Sequence, residues 1–309
     1  MRSVKTRFRL LSDPLRPERI AKSQADTRFP KPYLVSFDLW DTVYTPRKPI
    51  SQQYYEISHR EFGLPLSLES IEEKFPMVYR DMVQKYPNYG KYSGEIHSTN
   101  DWWAELIVRL YDIPHFTQNN ESRRLCDRLL AHFGSSEAYY LYDDVLPVLE
   151  TLSRNGIKMI AATNSDDRVL GILQSFGLAR YFESVHISYD VGHAKPDRRF
   201  FARAAQKHLK ALQQQDPNIT ATDFLERAWH VGDHYEEDFV GAVKAGWNGV
   251  LVDREKRSVF MQSAGPAQLS NDCFSGAQPS LDSQDLVMIA NNRVCVSGLK
   301  EFLRLFDLK

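Results

Sequence analysis

Four short segments of the chain carry acidic, hydroxyl and basic side chains directly after apolar residues. They are FDLWDT with Asp38 and Thr42, AATNSDD with Thr163 and Asn164, VGHAKPD with Lys195, and HVGDHYEED with Asp233 and Asp238. Carboxylates can act as nucleophiles or hold a hard divalent cation through oxygen. A lysine and hydroxyl groups can donate hydrogen bonds to an anion. If the fold brings the four segments together, their residue types suit chemistry on a negatively charged substrate.

The elements around these segments alternate between predicted strands and helices. Apolar runs predict strands at 33–37, 157–162, 185–188, 228–231 and 249–252, and helical spacing predicts helices at 169–176, 198–209 and 236–245. Asp143 or Asp144 is expected to cap a further helix, which ends at Gly156. The alternation predicts an α/β fold with a parallel sheet and helices on both faces. Ligands bind beyond the carboxyl ends of such strands. The four segments should therefore meet at this edge of the sheet, called the rim below.

The region 49–140 has a different pattern, with aromatic residues and leucines at helical spacing between polar turns. This pattern predicts an all-helical inserted domain of four or five helices. The core domain would then consist of 33–48 and 141–309, closed by a strand at 294–296 and a helix at 299–306. Within it, the composition of 256–284 predicts a mobile surface loop, since the segment is polar and aperiodic.

The first 32 residues carry nine basic side chains against three acidic ones. Two interpretations stay open for this segment. It can be a solvated basic arm of a cytoplasmic or nuclear protein, or a mitochondrial targeting sequence. The three cysteines have no metal-like spacing, which favours free thiols in a reducing compartment.

Composition excludes some classes of partner. The formal net charge of −1 gives no overall attraction to nucleic acid or to a membrane surface. The sequence contains no basic stripe interleaved with aromatic residues, the pattern that would predict nucleic-acid binding. It also contains no apolar run that is long enough to predict a membrane span. The sequence does not indicate an oligomeric state.

The ordered set of motifs resembles the haloacid dehalogenase (HAD) superfamily of hydrolases. The resemblance runs from Tyr33 to about Arg254, and the helical insert lies where that family places its C1 cap domain. VGHAKPDRRFF and HVGDHYEEDFVGAVKAGWNGVLVDR match its third and fourth motifs closely, and the best subgroup match is the eukaryotic HAD-like hydrolase domain-containing protein 3. The resemblance implies a HAD-like Rossmannoid fold, a small phosphorylated molecule as substrate, and Mg²⁺ as cofactor.

The resemblance also implies a role for each residue of the four segments. Asp38 would be the nucleophile, Lys195 would offset the clustered carboxylates, and Thr163 would bind phosphoryl oxygens. The ligands of Mg²⁺ would be Asp38, the backbone carbonyl of Trp40, Asp233 and Asp238. Thr42, Asn164 and Trp102 are the expected substrate contacts. The cation is needed because a carboxylate and a phosphate repel each other strongly in a poorly solvated site.

Each segment also has a structural interpretation. Asp38 and Thr42 could cap a turn, and Lys195 could be an ordinary solvated lysine. Asp233 and Asp238 could begin and line a helix. These alternatives explain one segment at a time, whereas all four segments at one sheet edge favour a functional site.

One position departs from the family pattern. Family phosphatases carry a second aspartate two residues after the nucleophile, and it protonates the leaving group; here that residue is Trp40. An indole cannot exchange a proton usefully at neutral pH. His234 is a candidate substitute for this acid. Three interpretations follow, in this order: a phosphatase whose leaving group needs little protonation or that borrows an acid from the cap or the substrate, a non-catalytic protein that binds a phosphorylated ligand or partner, and a dehalogenase-like hydrolase.

Overall fold

A seven-stranded sheet runs through the part of the chain that the computed structural model describes, residues 29–263, 285–290 and 293–308. In chain order the described strands are β1 (Leu34–Phe37), β2 (Tyr44–Pro46), β3 (Tyr139–Leu141), β4 (Lys158–Thr163), β5 (Val185–Ile187), β6 (Ala228–Gly232), β7 (Asn248–Val252), β8 (Leu286–Ala290) and β9 (Arg293–Val296). The sheet has the order β5-β4-β1-β6-β7-β9-β8, and its neighbouring pairs are parallel except β8 with β9. The predicted α/β fold is confirmed, and β8 is an edge strand that the sequence pattern did not predict.

Strand β1, which lies between β4 and β6, sets the position of the rim. All four of its residues are buried, as is typical of a strand covered on both faces. Its register places Phe37 beside Ala161 of β4 and Val231 of β6. The backbone N–H of Asp38 donates to the carbonyl of Val231 at 2.8 Å. Asp38 therefore leaves the sheet at the edge where β4 and β6 also end.

Helices cover both faces of the sheet. In chain order they are α1 (Ile50–Phe62), α2 (Leu68–Lys85), α3 (Thr99–Tyr111), α4 (Asn120–Phe133), α5 (Val145–Arg154), α6 (Arg168–Ser175), α7 (Ser188–Val191), α8 (Arg198–Gln215), α9 (Ala221–Leu225), α10 (Gly241–Lys244), α11 (Val259–Ser263) and α12 (Leu299–Leu303). α5 and α12 pack in one apolar core with Val35 of β1, whereas α8 and α9 pack in another with Leu34. Successive strand residues point to opposite faces, so each face of β1 has its own core.

The start of α5 differs from the predicted capping. Asp144 occupies the N-cap position, but its side chain makes no capping hydrogen bond there. The carboxylate instead accepts hydrogen bonds of 3.0 Å from both terminal nitrogens of Arg254, and one of 2.7 Å from the backbone N–H of Leu299. A charged guanidinium is a stronger partner for a carboxylate than a single backbone N–H. Asp144 therefore ties α5 to α12 and to the segment after β7.

Helices α1–α4 form the inserted region, called the cap below. The chain enters it after β2 and leaves it before β3, and these two strands pair antiparallel with Tyr44 opposite Leu141. Four helices lie between residues 50 and 133, within the predicted insert. β3 extends across the predicted boundary at 140, because its pairing with β2 continues to Leu141.

Two predicted segments lie mostly outside the described residues. Of the basic segment 1–32 the structure describes 29–32, where Phe29 bridges to Phe306 and packs edge-on against Trp229. Of the predicted loop 256–284 it describes 256–263, which contains α11, and the rest lies outside the described residues. Among the helices that the structure describes, none combines the length and the apolar character that a membrane crossing requires.

Candidate active site

Lys195 lies at the centre of the rim, with its ammonium group enclosed by oxygen atoms. Its Nζ donates to Oδ1 of Asp38 at 2.6 Å, to Oδ1 of Asp238 at 2.5 Å and to the carbonyl of Ala162 at 2.7 Å. The Lys195 residue is only 3% exposed. Three acceptors satisfy the three donors of an ammonium group. The interpretation of Lys195 as a solvated surface lysine is therefore wrong.

Asn164 holds the backbone on which Lys195 stands. Its Oδ1 accepts from the backbone N–H of Lys195 at 2.7 Å, and its Nδ2 donates to the Lys195 carbonyl at 2.9 Å. The same Nδ2 donates to Glu237 at 2.7 Å. Asn164 was expected to contact substrate, but its amide is committed to protein partners. The structure therefore gives it a positioning role for Lys195.

Asp238 is held from three sides in the turn that follows β6. Besides Lys195, it contacts Nε2 of His230 at 3.0 Å and accepts from the backbone N–H of His234 at 3.0 Å. It lies in a π-helical turn over Tyr235–Val240, a rare geometry that is frequent at functional sites. Gly232 lies directly beneath, since a Cβ there would be 2.3 Å from Cγ of Asp238. A larger residue at 232 would push the Asp238 carboxylate away from Lys195.

Asp38, Asp233 and Asp238 form one acidic group, called the acidic centre below together with Lys195. One carboxylate oxygen from each aspartate lies within 4.8 Å of the others. Asp233 accepts a hydrogen bond of 3.3 Å from Oγ1 of Thr42. Thr42 was expected to contact substrate, and its hydroxyl lies instead against Asp233. Three carboxylates thus lie at a site with a single ammonium group, which bonds two of them.

This imbalance of charge appears in the pKa values. Burial raises the pKa of Asp38 to about 6, with Lys195 opposing it and Asp238 adding to it. Burial and the other two carboxylates raise the pKa of Asp233 to about 7. Burial opposes the ionisation of Asp238 as well, but Lys195 and His230 outweigh it and lower the pKa of Asp238. Burial disfavours the charged Lys195, yet Asp238 and Asp38 raise its pKa. A hard divalent cation with oxygen ligands fits this donor set, because it would supply the missing positive charge.

Trp40 and Asp41 follow Asp38 in a tight turn. The turn is closed by hydrogen bonds from the backbone N–H groups of Val43 and Tyr44 to the carbonyl of Leu39, and Asp41 has a left-handed φ of 56°. Trp40 is 41% exposed, and its ring packs edge-on against Tyr139 at 5.6 Å between centroids. The position two residues after Asp38 therefore presents an indole and no acid.

His234 is the candidate substitute for the general acid that Trp40 cannot provide. It is exposed, and its Nδ1 accepts from the backbone N–H of Glu237 at 3.2 Å, so that the ring caps the turn that carries Asp238. This contact explains a histidine at 234 structurally.

A cavity of about 320 Å³ lies between the cap and the rim. Most of its wall is aromatic: Trp40, Tyr44, Tyr54, Phe75, Tyr79, Tyr89, Trp103, Phe133 and Tyr139. Ile50 of the cap and four residues from the end of β4 onward complete the lining: Thr163, Asn164, Ser165 and Arg168. Trp40 lies two residues after Asp38, and Thr163 follows Ala162, whose carbonyl accepts from Lys195. Both line the cavity, so this aromatic cavity adjoins the acidic centre.

The expectation that Trp102 lines the substrate mouth is wrong. Trp102 is 1% exposed, and its Nε1 donates to the carbonyl of Tyr86 at 3.1 Å inside the cap. Its neighbour Trp103 lines the aromatic cavity and donates to Oδ2 of Asp166 at 2.6 Å. The sequence predicts that the two rings point apart, but not which of them faces the rim, because that depends on how α3 is rotated over the core.

Sequence reasoning missed Asp166, Arg168 and His230. Asp166 and Arg168 lie in the TNSDDR segment that follows β4, and the rule that strand ends carry ligand-binding residues could have found them. His230 lies within β6, where an apolar run gives no signal for a buried polar side chain. Its ring reaches Ser36 of β1 at 3.0 Å and Asp238 at 3.0 Å, contacts that depend on the strand register.

Comparison with known proteins agrees with this fold. A family model described as haloacid dehalogenase-like hydrolase matches residues 34–246, a span that includes every residue of the acidic centre. The match covers more than half of the chain, and the chain therefore belongs to the haloacid dehalogenase-like hydrolase family. Hydrolysis is the class of reaction that this membership supports.

Several relatives and solved structures are similar over most of the chain. An uncharacterized protein of Saccharomyces cerevisiae is 25% identical over 293 residues, which cover 90% of this chain and 94% of the relative. The Bos taurus haloacid dehalogenase-like hydrolase domain-containing protein 3 is 26% identical over 219 residues, or 71% of this chain and 81% of that protein, in agreement with the predicted subgroup.

Two crystal structures show the same fold. A 2-haloacid dehalogenase from Pseudomonas syringae has a TM-score of 0.53 at 18% identity, and the similarity covers 90% of this chain and 98% of that one. A HAD phosphatase from Thermococcus onnurineus has a TM-score of 0.50 at 19% identity, covering 88% of this chain and 96% of that one. Since a dehalogenase and a phosphatase both share the fold, the choice between the two activities depends on the site.

Proposed function

We propose that this protein is a Mg²⁺-dependent phosphatase of a small phosphorylated molecule and that it works through an aspartyl-phosphate at Asp38. The observation that carries the proposal is the acidic centre, where oxygens of three carboxylates lie within 4.8 Å of one another and one buried lysine bonds two of them. Asp38, Asp233, Asp238 and the backbone carbonyl of Trp40 would hold Mg²⁺. The ion would supply positive charge, which lets an anionic substrate approach a carboxylate.

The residues of the chain suit a two-step displacement. In the first step Asp38 forms a bond to phosphorus and the bond from phosphorus to the ester oxygen breaks, so that the leaving group departs as an alkoxide or phenolate and takes its proton from solvent water. In the second step water attacks the phosphorus of the aspartyl-phosphate, which releases inorganic phosphate and restores Asp38. Lys195 donates to Asp38 at 2.6 Å and keeps that carboxylate ionised and oriented. Thr163, buried at the end of β4, would hydrogen-bond a phosphoryl oxygen.

Trp40 restricts the range of leaving groups. General acid help contributes about 10²–10⁴ in rate, and an indole cannot give it. Esters whose alcohol leaves without a proton, such as aryl phosphates, would therefore be hydrolysed faster than alkyl phosphates. Exposure of Trp40 beside the aromatic cavity is compatible with a ring as the leaving group.

Phosphate release from 4-nitrophenyl phosphate, measured with and without Mg²⁺, tests the proposal. Asp233→Asn should raise the Mg²⁺ concentration for half-maximal rate by about tenfold or more. Asp41→Asn is the matched control, because Asp41 lies outside the group of three carboxylates and asparagine also tolerates its left-handed backbone. Retained binding of Mg²⁺ and of a phosphate analogue without turnover would indicate the non-catalytic alternative instead.

A dehalogenase-like activity is the second candidate, and Trp40 is the observation that favours it. A halide leaves without a proton, so an aromatic residue at that position costs such an enzyme nothing. The Asp233–Asp238 pair argues against it, since dehalogenases of this family work without a metal. Release of chloride from 2-chloropropionate in the presence of a chelator would support this candidate over the phosphatase.

A further inference from the structure

Arg168 and Asp166 form a fixed pair between the cap and the core. Asp166 is completely buried, and its carboxylate accepts from Nε of Arg168 at 3.0 and 3.1 Å and from the backbone N–H of Arg168 at 3.0 Å. It also accepts from Nε1 of Trp103, a cap residue, at 2.6 Å. The guanidinium carbon of Arg168 lies 3.9 Å from the centre of the Trp103 ring. Both ends of the Arg168 side chain are therefore held in place.

This pair presents its positive side to the aromatic cavity. Arg168 lines the cavity, whereas Asp166 lies behind it and is not part of the wall. Among the described residues that line the cavity, Arg168 carries the one formal charge. Within the described part of the chain, the side-chain hydrogen bonds of Arg168 to protein all leave from Nε, so its two terminal nitrogens keep their donors.

The chemistry of such a group favours one class of ligand. A guanidinium fork donates two parallel hydrogen bonds to a carboxylate, and the bond is stronger where water is excluded. Nine aromatic side chains in the wall exclude water and offer faces for a flat ring. A cavity of about 320 Å³ suits a small ligand with one ring.

We propose that the substrate is an aryl phosphate whose ring carries a carboxylate, with the ring in the aromatic cavity, the carboxylate on Arg168 and the phosphoryl group at Asp38. Only the placement of the phosphoryl group at Asp38 rests on the proposed phosphatase function. The basis of the inference is the juxtaposition of a single oriented guanidinium with an aromatic wall that includes Trp40, two residues after Asp38, and ends at Thr163, next to the Ala162 carbonyl that Lys195 contacts.

A binding experiment tests the recognition of the ring without any turnover. The probes are 4-hydroxybenzoate, the alcohol that such a substrate would release, and 4-hydroxybenzamide, which has the same shape without the charge. Calorimetry on the wild-type protein should give an affinity for the benzoate at least about tenfold higher, as expected for a charge-assisted pair. Equal affinities, or a preference for the amide, would overturn the proposal with no variant needed.

Arg168→Gln should then remove the preference while the protein stays folded, as checked by its melting temperature. Arg180→Gln is the matched control, because Arg180 also lies over an aromatic ring, that of Tyr181, but on the surface. The control should keep the full preference. If Arg168→Gln fails to fold, Arg168→Lys tests the same point, since it keeps the charge but loses the fork and should lower the preference only in part.

The turnover experiment separates this inference from the proposed function. It compares kcat/KM for 4-carboxyphenyl phosphate and 4-carbamoylphenyl phosphate, which the inference predicts to differ by about tenfold or more in the same direction as binding. Hydrolysis of both at equal rates would refute the carboxylate recognition and keep the phosphatase. Preferential binding of the benzoate with hydrolysis of neither ester would refute the phosphatase and keep the recognition.

Discussion

The acidic centre and the aromatic cavity lie side by side and are built in opposite ways. The acidic centre takes its residues from the segments that follow sheet strands, and short charged hydrogen bonds join Lys195 to Asp38 and Asp238. The aromatic cavity takes most of its wall from cap residues and from the turns around β2 and β3. Backbone pairing determines the first, and the packing of side chains between two layers determines the second.

This difference implies that the two regions have separate functions. Residues at the ends of parallel strands keep their relative positions, so the type of reaction depends on the sheet. Cap side chains such as Trp103 are placed beside the rim by their contacts with the core. In the proposed phosphatase the choice of substrate therefore depends on how the cap packs against the core. Changes in the acidic centre should therefore alter rate and metal binding, and changes in the cavity should alter affinity for the organic part of the substrate.

The largest expected effect is on turnover in Asp38→Asn. Phosphate release should fall by about 10³-fold or more, because an amide cannot form the acyl phosphate. Binding of 4-hydroxybenzoate should persist, since the aromatic cavity is unchanged. The comparison variant is Trp103→Phe, which should change KM while leaving the Mg²⁺ requirement as it is. Unchanged turnover in Asp38→Asn would remove the nucleophile from the proposal.

The next largest effect concerns stability in Lys195→Met. Removing the ammonium leaves Asp38 and Asp238 buried without a counter-charge, which should cost about 3–5 kcal/mol in the free energy of unfolding. Lys48→Met is the control, since Lys48 pairs with Glu56 at 2.7 Å in a solvent-exposed setting worth about 1 kcal/mol or less. Urea unfolding in the absence of metal measures both. A similar loss in the two variants would contradict the buried role of Lys195.

A gain of activity is expected for Trp40→Asp. An aspartate at this position would restore a general acid, and hydrolysis of alkyl phosphates should rise by about tenfold or more. Trp40→Asn, which has nearly the same shape but no proton to give, should show no such gain. If both variants or neither are faster, the absent acid is not what limits the wild-type protein.

The same division between sheet and cap explains what the sequence could predict. Asp38, Lys195, Asp233 and Asp238 follow strands, and a strand is visible as an apolar run, so their meeting at one rim could be predicted. Thr42 and Asn164 were placed correctly at that rim, but their hydrogen-bond partners, Asp233 and the backbone of Lys195, depend on side-chain geometry that no spacing encodes.

The cap shows where such prediction ends. Periodicity located its helices but could not tell Trp102 from Trp103, because the two differ only in which neighbour they meet. The pairing of Asp166 with Arg168 is local in sequence, yet both residues also contact Trp103, which comes from a separate part of the chain. Contacts between the cap and the core can be identified only from the three-dimensional structure.

The smallest expected effect is a dependence on pH that belongs to the acidic centre alone. The folded-state pKa values of Asp233, about 7, and Asp38, about 6, lie above their ordinary value of 3.8. Between those values the folded protein binds more protons than the unfolded chain, so the stability of the metal-free protein should fall as the pH rises through this window. Asp238 has a lowered pKa, and its contribution is lost only at pH values below the window.

Protons and Mg²⁺ should compete for the same oxygen atoms, so the affinity for Mg²⁺ should rise as the pH rises through the window. Urea unfolding with a chelator and calorimetric titration with Mg²⁺ measure the two trends. Asp233→Asn removes the most strongly shifted group and should flatten both, whereas Trp103→Phe in the aromatic cavity should leave both slopes intact. Equal slopes in the wild-type protein and Asp233→Asn would mean that Asp233 does not titrate in this pH window. The mutual repulsion of the three carboxylates would then not raise its pKa as proposed.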